Sequence, residues 1–149
     1  MSAATKGAHA MNDGDTTLSL ILFSGTDDRL GAAAILAVGA AAMGRPVNVF
    51  LQYWAVDAFR KQKVMTDHGV SPEAGLAGAS LVRASQTGDR HWSELLRQAK
   101  DIGDVKIHAC ALSMELFAIT QEDLDPLVDD VEGVAAFMSD ATSGPITFI

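Results

Sequence analysis

Apolar and polar positions fall into blocks along the chain, and the blocks predict strands and helices in alternation. Thr17–Phe23, TLSLILF, is a short apolar run ending at Ser-Gly-Thr. Such a run suits a central parallel strand buried on both faces. Ser24–Thr26 reads as a turn, with Asp27 or Asp28 suited to the N-terminus of the next helix. That helix is expected to reach about Met43, with Gly44 as its stop and Pro46 just beyond. Val47–Leu51 reads as a second strand and Asp57–Lys63 as a short polar helix. Met65–Asp89 holds Gly69, Gly75, Gly78, Gly88 and Pro72, and reads as a long connection with a short helix around Pro72–Leu76.

Helical spacing returns over His91–Ile102, where Trp92, Leu95, Leu96 and Ala99 form an apolar stripe. Val105–Ala109 is expected as a third strand and Ala111–Ile119 as the helix after it. Val131–Gly133, Ala135–Ala141 and Pro145–Ile149 then read as strand, helix and strand. This alternation implies an α/β fold, with a mostly parallel sheet and helices on both faces. Ligand chemistry in such sheets gathers outside the carboxyl ends of the strands. Those ends are Ser24–Asp28, Gln52–Trp54 and Ala109–Ser113.

Composition narrows the class. A chain of 149 residues with 48% hydrophobic and 20% charged residues is ordinary globular material, large enough to bury a core. Residues 1–16 are small and polar and are expected to be a flexible N-terminal tail, leaving 17–149 as a single domain; Met11 is an alternative start. The tail lacks the apolar core of a secretory signal. Leu30–Gly44 is too short, and too rich in Ala and Gly, for a membrane span. A cytoplasmic protein without stable membrane insertion is expected.

The formal net charge is -8, which disfavours nucleic acid as a partner. The excess is local. All 11 Lys and Arg lie at or before Lys106, and six acids crowd Gln121–Glu132. That stretch reads as a solvated face or as a docking surface for a basic partner.

Motifs for cofactors are absent. No GxxxxGK[ST] or GxGxxG follows the first strand, so Gly25 and Gly31 read as turn and packing residues. The histidines, His9, His68, His91 and His108, show no metal-binding spacing, and no HExxH occurs. No cofactor and no metal are expected. Ser24, Gly25, Thr26, Tyr53 and Trp54 are the residues expected to border a pocket at the first strand ends.

The one cysteine, Cys110, excludes internal disulfides and Cys-rich zinc sites, and suits a reducing compartment. It stands where a strand ends and a helix begins, and free N–H groups there favour a thiolate. His108, two residues earlier on the same strand face, and Ser113, near the helix start, are candidate supports. Against this, free cysteine is among the most buried residue types and is mostly inert packing, and the acids nearby disfavour a thiolate.

His108–Ile119, HACALSMELFAI, resembles the cysteine segment of the DsrE/DsrF-like sulfur-relay proteins, in particular the branch labelled peroxiredoxin-like or sulfurtransferase. The first half, LILFSGTDDRLGAAAILAVGAAAMGRPVNVFLQYWAVDAFRK, is similar to the family's small-residue helix and its strand ending in an aromatic pair. Glu122-Asp123-Leu124, Gly133 and Ile146–Ile149 match its closing pattern, so the likeness spans nearly all of 17–149. It implies a five-stranded, three-layer α/β/α sandwich, homo-oligomers (trimers or hexamers), and a cysteine that carries sulfane sulfur as a persulfide or thiosulfonate. Only Cys110 carries over as that residue, with a small sulfur-carrier protein or a rhodanese-type donor as the expected partner. Ala118 stands where the family usually has glycine. Two other readings stay open: an oligomeric scaffold with a packed cysteine, and a small-molecule binder at the first strand–helix turn. Peroxidase turnover is not implied, because the chain has no second thiol to resolve an oxidised Cys110.

Overall fold

The computed structural model describes residues 16–149. The expected tail, with His9 in it, lies outside the described residues apart from Thr16. Five strands form one sheet: β1 (Leu18–Leu22), β2 (Val47–Leu51), β3 (Val105–Cys110), β4 (Asp130–Glu132) and β5 (Ile146–Phe148). Their order is β4-β3-β2-β1-β5 and every pairing is parallel. The helices are α1 (Asp27–Ala42), α2 (Tyr53–Ala58), α3 (Gly75–Ser85), α4 (Trp92–Ile102), α5 (Ala111–Leu116) and α6 (Val134–Asp140). Together they make the three-layer α/β/α sandwich.

Strand register divides the sheet into two unlike faces, because paired residues in a parallel sheet point the same way. One face presents rows such as Leu20-Val49-Ile107 and Leu22-Leu51-Ala109. It is aliphatic, and α1 and α4 cover it in the main core. The other presents the rows Phe148-Ile21-Phe50-His108-Asp130 and Cys110-Glu132. There a second core of Phe50, Cys110, Phe137 and Ala141 forms under α6. The Phe50 and Phe137 rings stack at 4.7 Å. Five consecutive residues of β2 are buried because both its faces are covered.

The Ala-rich sequence of α1 has a packing reason. Ala33, Ala34, Ala37, Ala40 and Ala41 are buried, so α4 can approach closely. At Gly103, just past α4, an added Cβ would meet the Ala41 Cβ at 3.1 Å.

Three expectations need correction. The helix expected over Asp57–Lys63 lies earlier, at Tyr53–Ala58. It starts there because Ala55, Val56 and Ala58 are buried, while Asp57 turns outward to pair with Arg60 and Lys63. The long connection contains a helix of 11 residues, α3, preceded by the 3-10 turn Pro72–Ala74. Its glycines mislead: Gly78 lies against Ala74, where an added Cβ would sit 2.8 Å from the Ala74 Cβ. No α3 residue is buried, and Leu76 is 93% exposed. Third, α5 ends at Leu116 rather than Ile119, because Ala118 turns into the left-handed region at φ 51°.

Candidate functional site

Cys110 is the last residue of β3 and the N-cap residue of α5, as its sequence position suggests. The strand ends there because Ala111–Leu116 turns helical and packs against α2. Cys110 is 5% exposed and packs in the second core with Phe50, Phe137 and Ala141. It faces Glu132 across the β3–β4 pairing.

His108 shares the Cys110 face but is turned to β4. Its Nδ1–H donates to Asp130 Oδ1 at 2.5 Å, and Glu132 Oε2 lies 3.7 Å away. Burial pushes the Glu132 carboxyl above the usual carboxylate range; His108 pulls it down, while Asp130 and Asp140 push it up. Glu132 Oε1 is buried and has no hydrogen-bond partner. The ligand atoms of His108, Asp130 and Glu132 lie within 4.8 Å of one another. Histidine spacing gave no sign of this group, because pairing of β3 with β4 joins residues 22 positions apart. The signal that existed was alternation in the strand expected near Val131, which puts Asp130 and Glu132 on one face.

Ser113 is buried, and its Oγ accepts the Tyr53 backbone N–H at 3.0 Å. It therefore ties the start of α2 to α5. Tyr53 takes φ 45° at that junction and packs on Phe23 at 5.1 Å. Trp54 meets Phe117 edge-on at 5.1 Å.

Ser24, Gly25, Thr26 and Trp54 line one cavity of about 240 Å³ with Asp57, Ala58 and His68. Tyr53, expected with them, is not a lining residue. Within the turn, Ser24 Oγ lies 3.1 Å from Thr26 Oγ1 and accepts the Thr26 N–H. The cavity opens outside the carboxyl ends of β1 and β2, the side of such sheets where ligands bind. Gly25 is required by close approach, since an added Cβ would meet the Trp54 carbonyl oxygen at 2.5 Å.

The acidic stretch is partly engaged within the chain. Asp123 caps a 3-10 turn through Thr120, Asp125 pairs with Arg97, and Asp129 pairs with Lys100 at 2.5 Å. No described helix is long and apolar enough to cross a membrane.

Comparison with known proteins covers almost the whole chain. The family model described as DsrE/DsrF/DrsH-like matches residues 14–87 and 79–149. The uncharacterized protein YrkE of Bacillus subtilis (strain 168) is 28% identical over 152 residues, spanning 86% of this chain and 92% of its own. Two solved structures share the fold. The protein of unknown function MTH1491 from Methanobacterium thermoautotrophicum aligns with TM-score 0.59 at 16% identity, over 91% of this chain and 100% of its own. The ychN protein of E. coli aligns with TM-score 0.55 at 14% identity, over 91% and 99%.

Proposed function

Since the chain belongs to the DsrE/DsrF/DrsH-like family, we propose that it is a sulfur-relay protein working through Cys110. The observation that carries the reading is the place of that thiol, at the carboxyl end of β3 and the start of α5. In the proposed step the Cys110 thiolate attacks the outer sulfur of a donor persulfide. A new S–S bond forms, the donor S–S bond breaks, and the donor leaves as a thiolate. The sulfane sulfur keeps its oxidation state, so no oxidant is needed. An acceptor thiolate then repeats the exchange and frees Cys110. A thiosulfonate donor reacts in the same way at its outer sulfur, except that the bond to the sulfonyl sulfur breaks and a sulfinate leaves.

Burial sets the demand on this mechanism. Because Cys110 is nearly enclosed, Phe137 and α6 have to shift before a donor reaches Sγ. The same burial supports the second reading, a packed and inert cysteine in a scaffold protein. Assembly into a trimer or hexamer belongs to the proposal as well. Val134, Met138, Ile146 and Phe148, all exposed apolar side chains on α6 and β5, support a subunit contact. A cytoplasmic site of action and a small sulfur-carrier or rhodanese-type partner complete it.

Intact mass after exposure to polysulfide or tetrathionate tests the step. A gain on the wild-type chain that is absent from Cys110→Ala is expected. No gain, or an equal gain on Cys110→Ala, overturns it. Reaction of the native thiol with a probe at the rate of the unfolded chain favours relay, and a blocked thiol favours the scaffold.

A further inference from the structure

We propose that His108, Asp130 and Glu132 form a site for a borderline divalent cation of the Mn²⁺ to Zn²⁺ series. The donors are one imidazole and two carboxylates from adjacent strands, with ligand atoms within 4.8 Å of one another. One nitrogen and two oxygen donors suit first-row divalent ions better than the hard all-oxygen cations.

Charge balance points the same way. Among the described residues, the basic group beside both Asp130 and Glu132 is the His108 imidazole, with no Lys or Arg paired to either. Asp140, on α6, adds to the negative field at Glu132. Carboxylates gathered this closely are stabilised by a cation.

The second observation is independent of the cluster's own hydrogen bonds. Glu132 Oε1 is fully buried and accepts nothing. A buried oxygen in that state costs free energy unless an ion or a water fills its coordination. The His108 side chain is only 10% exposed, so its ring is held in place, whereas Asp130 is 55% exposed and leaves the site open on one side. Water can complete the coordination there. A cavity of about 240 Å³ bordered by His108, Asp140, Asn48, Asp104 and Lys106 adjoins the ring. Nδ1 is the ring nitrogen that faces both carboxylates, so a cation bound there replaces the contact between His108 and Asp130.

The inference does not rest on the sulfur reading, and its test separates the two. The full chain, stripped with a chelator, is titrated with Zn²⁺ by calorimetry at about pH 7.5, chosen because metal binding competes with protons. One saturable site is expected on wild type and on Cys110→Ala alike. Glu132→Gln and His108→Gln should each weaken it about tenfold or more, as ligand losses do, while Glu122→Gln leaves it unchanged. No saturable uptake, wild-type affinity in Glu132→Gln, or loss of the site in Cys110→Ala overturns the proposal. If a variant fails to fold, Mn²⁺ is added to the wild-type chain and amide resonances are followed. Broadening centred on Ile107–Ala109 and Val131 is expected; broadening centred elsewhere overturns it.

Discussion

The Asp27 carboxylate accepts the indole N–H of Trp92 at 3.0 Å, joining residues 65 apart at the N-termini of α1 and α4. Its other oxygen accepts the His68 backbone N–H at 3.1 Å. Both Asp27 and Trp92 are buried, so removing the acceptor strands the indole N–H away from water and leaves the His68 N–H without its partner. Asp27→Ala should therefore cost about 2 kcal/mol or more, the usual penalty for unsatisfied buried donors. A urea midpoint within a few tenths molar of wild type would contradict this.

Gly25 and the Trp54 carbonyl set a steric limit at the mouth of the first cavity. Gly25→Ala places a Cβ 2.5 Å from backbone oxygen, which no rotamer change relieves. Displacement of the β1–α1 turn should destabilise the fold by about 1–3 kcal/mol, the range for overpacking. Gly31→Ala, whose Cβ would meet only the Gln86 amide at 3.5 Å, should be far milder. Comparing the melting temperatures of the two variants checks the contrast.

The end of α5 supplies a prediction of opposite sign. The Ile119 N–H bonds to the Met114 carbonyl and the Ala118 N–H to the Glu115 carbonyl. This is the Schellman arrangement, with Ala118 in the position that favours glycine. Ala118 carries a left-handed penalty of about 1–2 kcal/mol that glycine avoids, part of it offset by the extra freedom glycine has when unfolded. Ala118→Gly should thus raise stability by up to about 1 kcal/mol. A lower melting temperature would show that the turn is not strained.

His91 predicts a pH dependence. Its Nδ1 accepts the Ser93 N–H at 3.2 Å and caps α4. Burial holds its pKa below the ordinary imidazole value; Asp27 and Glu94 pull it up, while His68 and Arg97 add to the lowering. The unfolded chain then binds a proton that the native state refuses. Stability should fall as pH drops below about 6.5, the unfolded value, and go on falling through the native pKa. His91→Asn keeps a capping acceptor without a titrating group, so its stability should vary less from pH 7 to 5, roughly the span of that titration. An identical slope in urea midpoints for the two proteins would contradict the assignment.

The parts of the fold readable from sequence were those whose local pattern and burial agree. Val47–Leu51 and the stripe of Trp92, Leu96 and Ala99 fell where expected, because an apolar run or a helical period was itself the core. α3 was missed because none of its residues is buried and its glycines argue against a helix. α2 was misplaced because its start depends on tertiary contacts: burial of Ala55, Val56 and Ala58, and a hydrogen bond from Tyr53 to Ser113, 60 positions later. The site divides the same way. Cys110 at a strand end follows from the alternating strand Val105–Ala109 before it, whereas the turning of His108 toward Asp130 and Glu132 depends on which strand lies beside β3. No spacing along the chain states that neighbour.

The contrast between the sheet's two faces has a consequence for variation. Odd-numbered β3 residues pack against α1 and α4, while His108 and Cys110 look the other way toward α6. Foldability and chemistry are therefore written into interleaved positions of the same strand. A library that randomises His108, Cys110, Asp130 and Glu132 should keep a larger folded fraction than one that randomises Val105, Ile107 and Ala109. The α6 face can thus change its reactivity over generations while the α1–α4 face holds the scaffold constant.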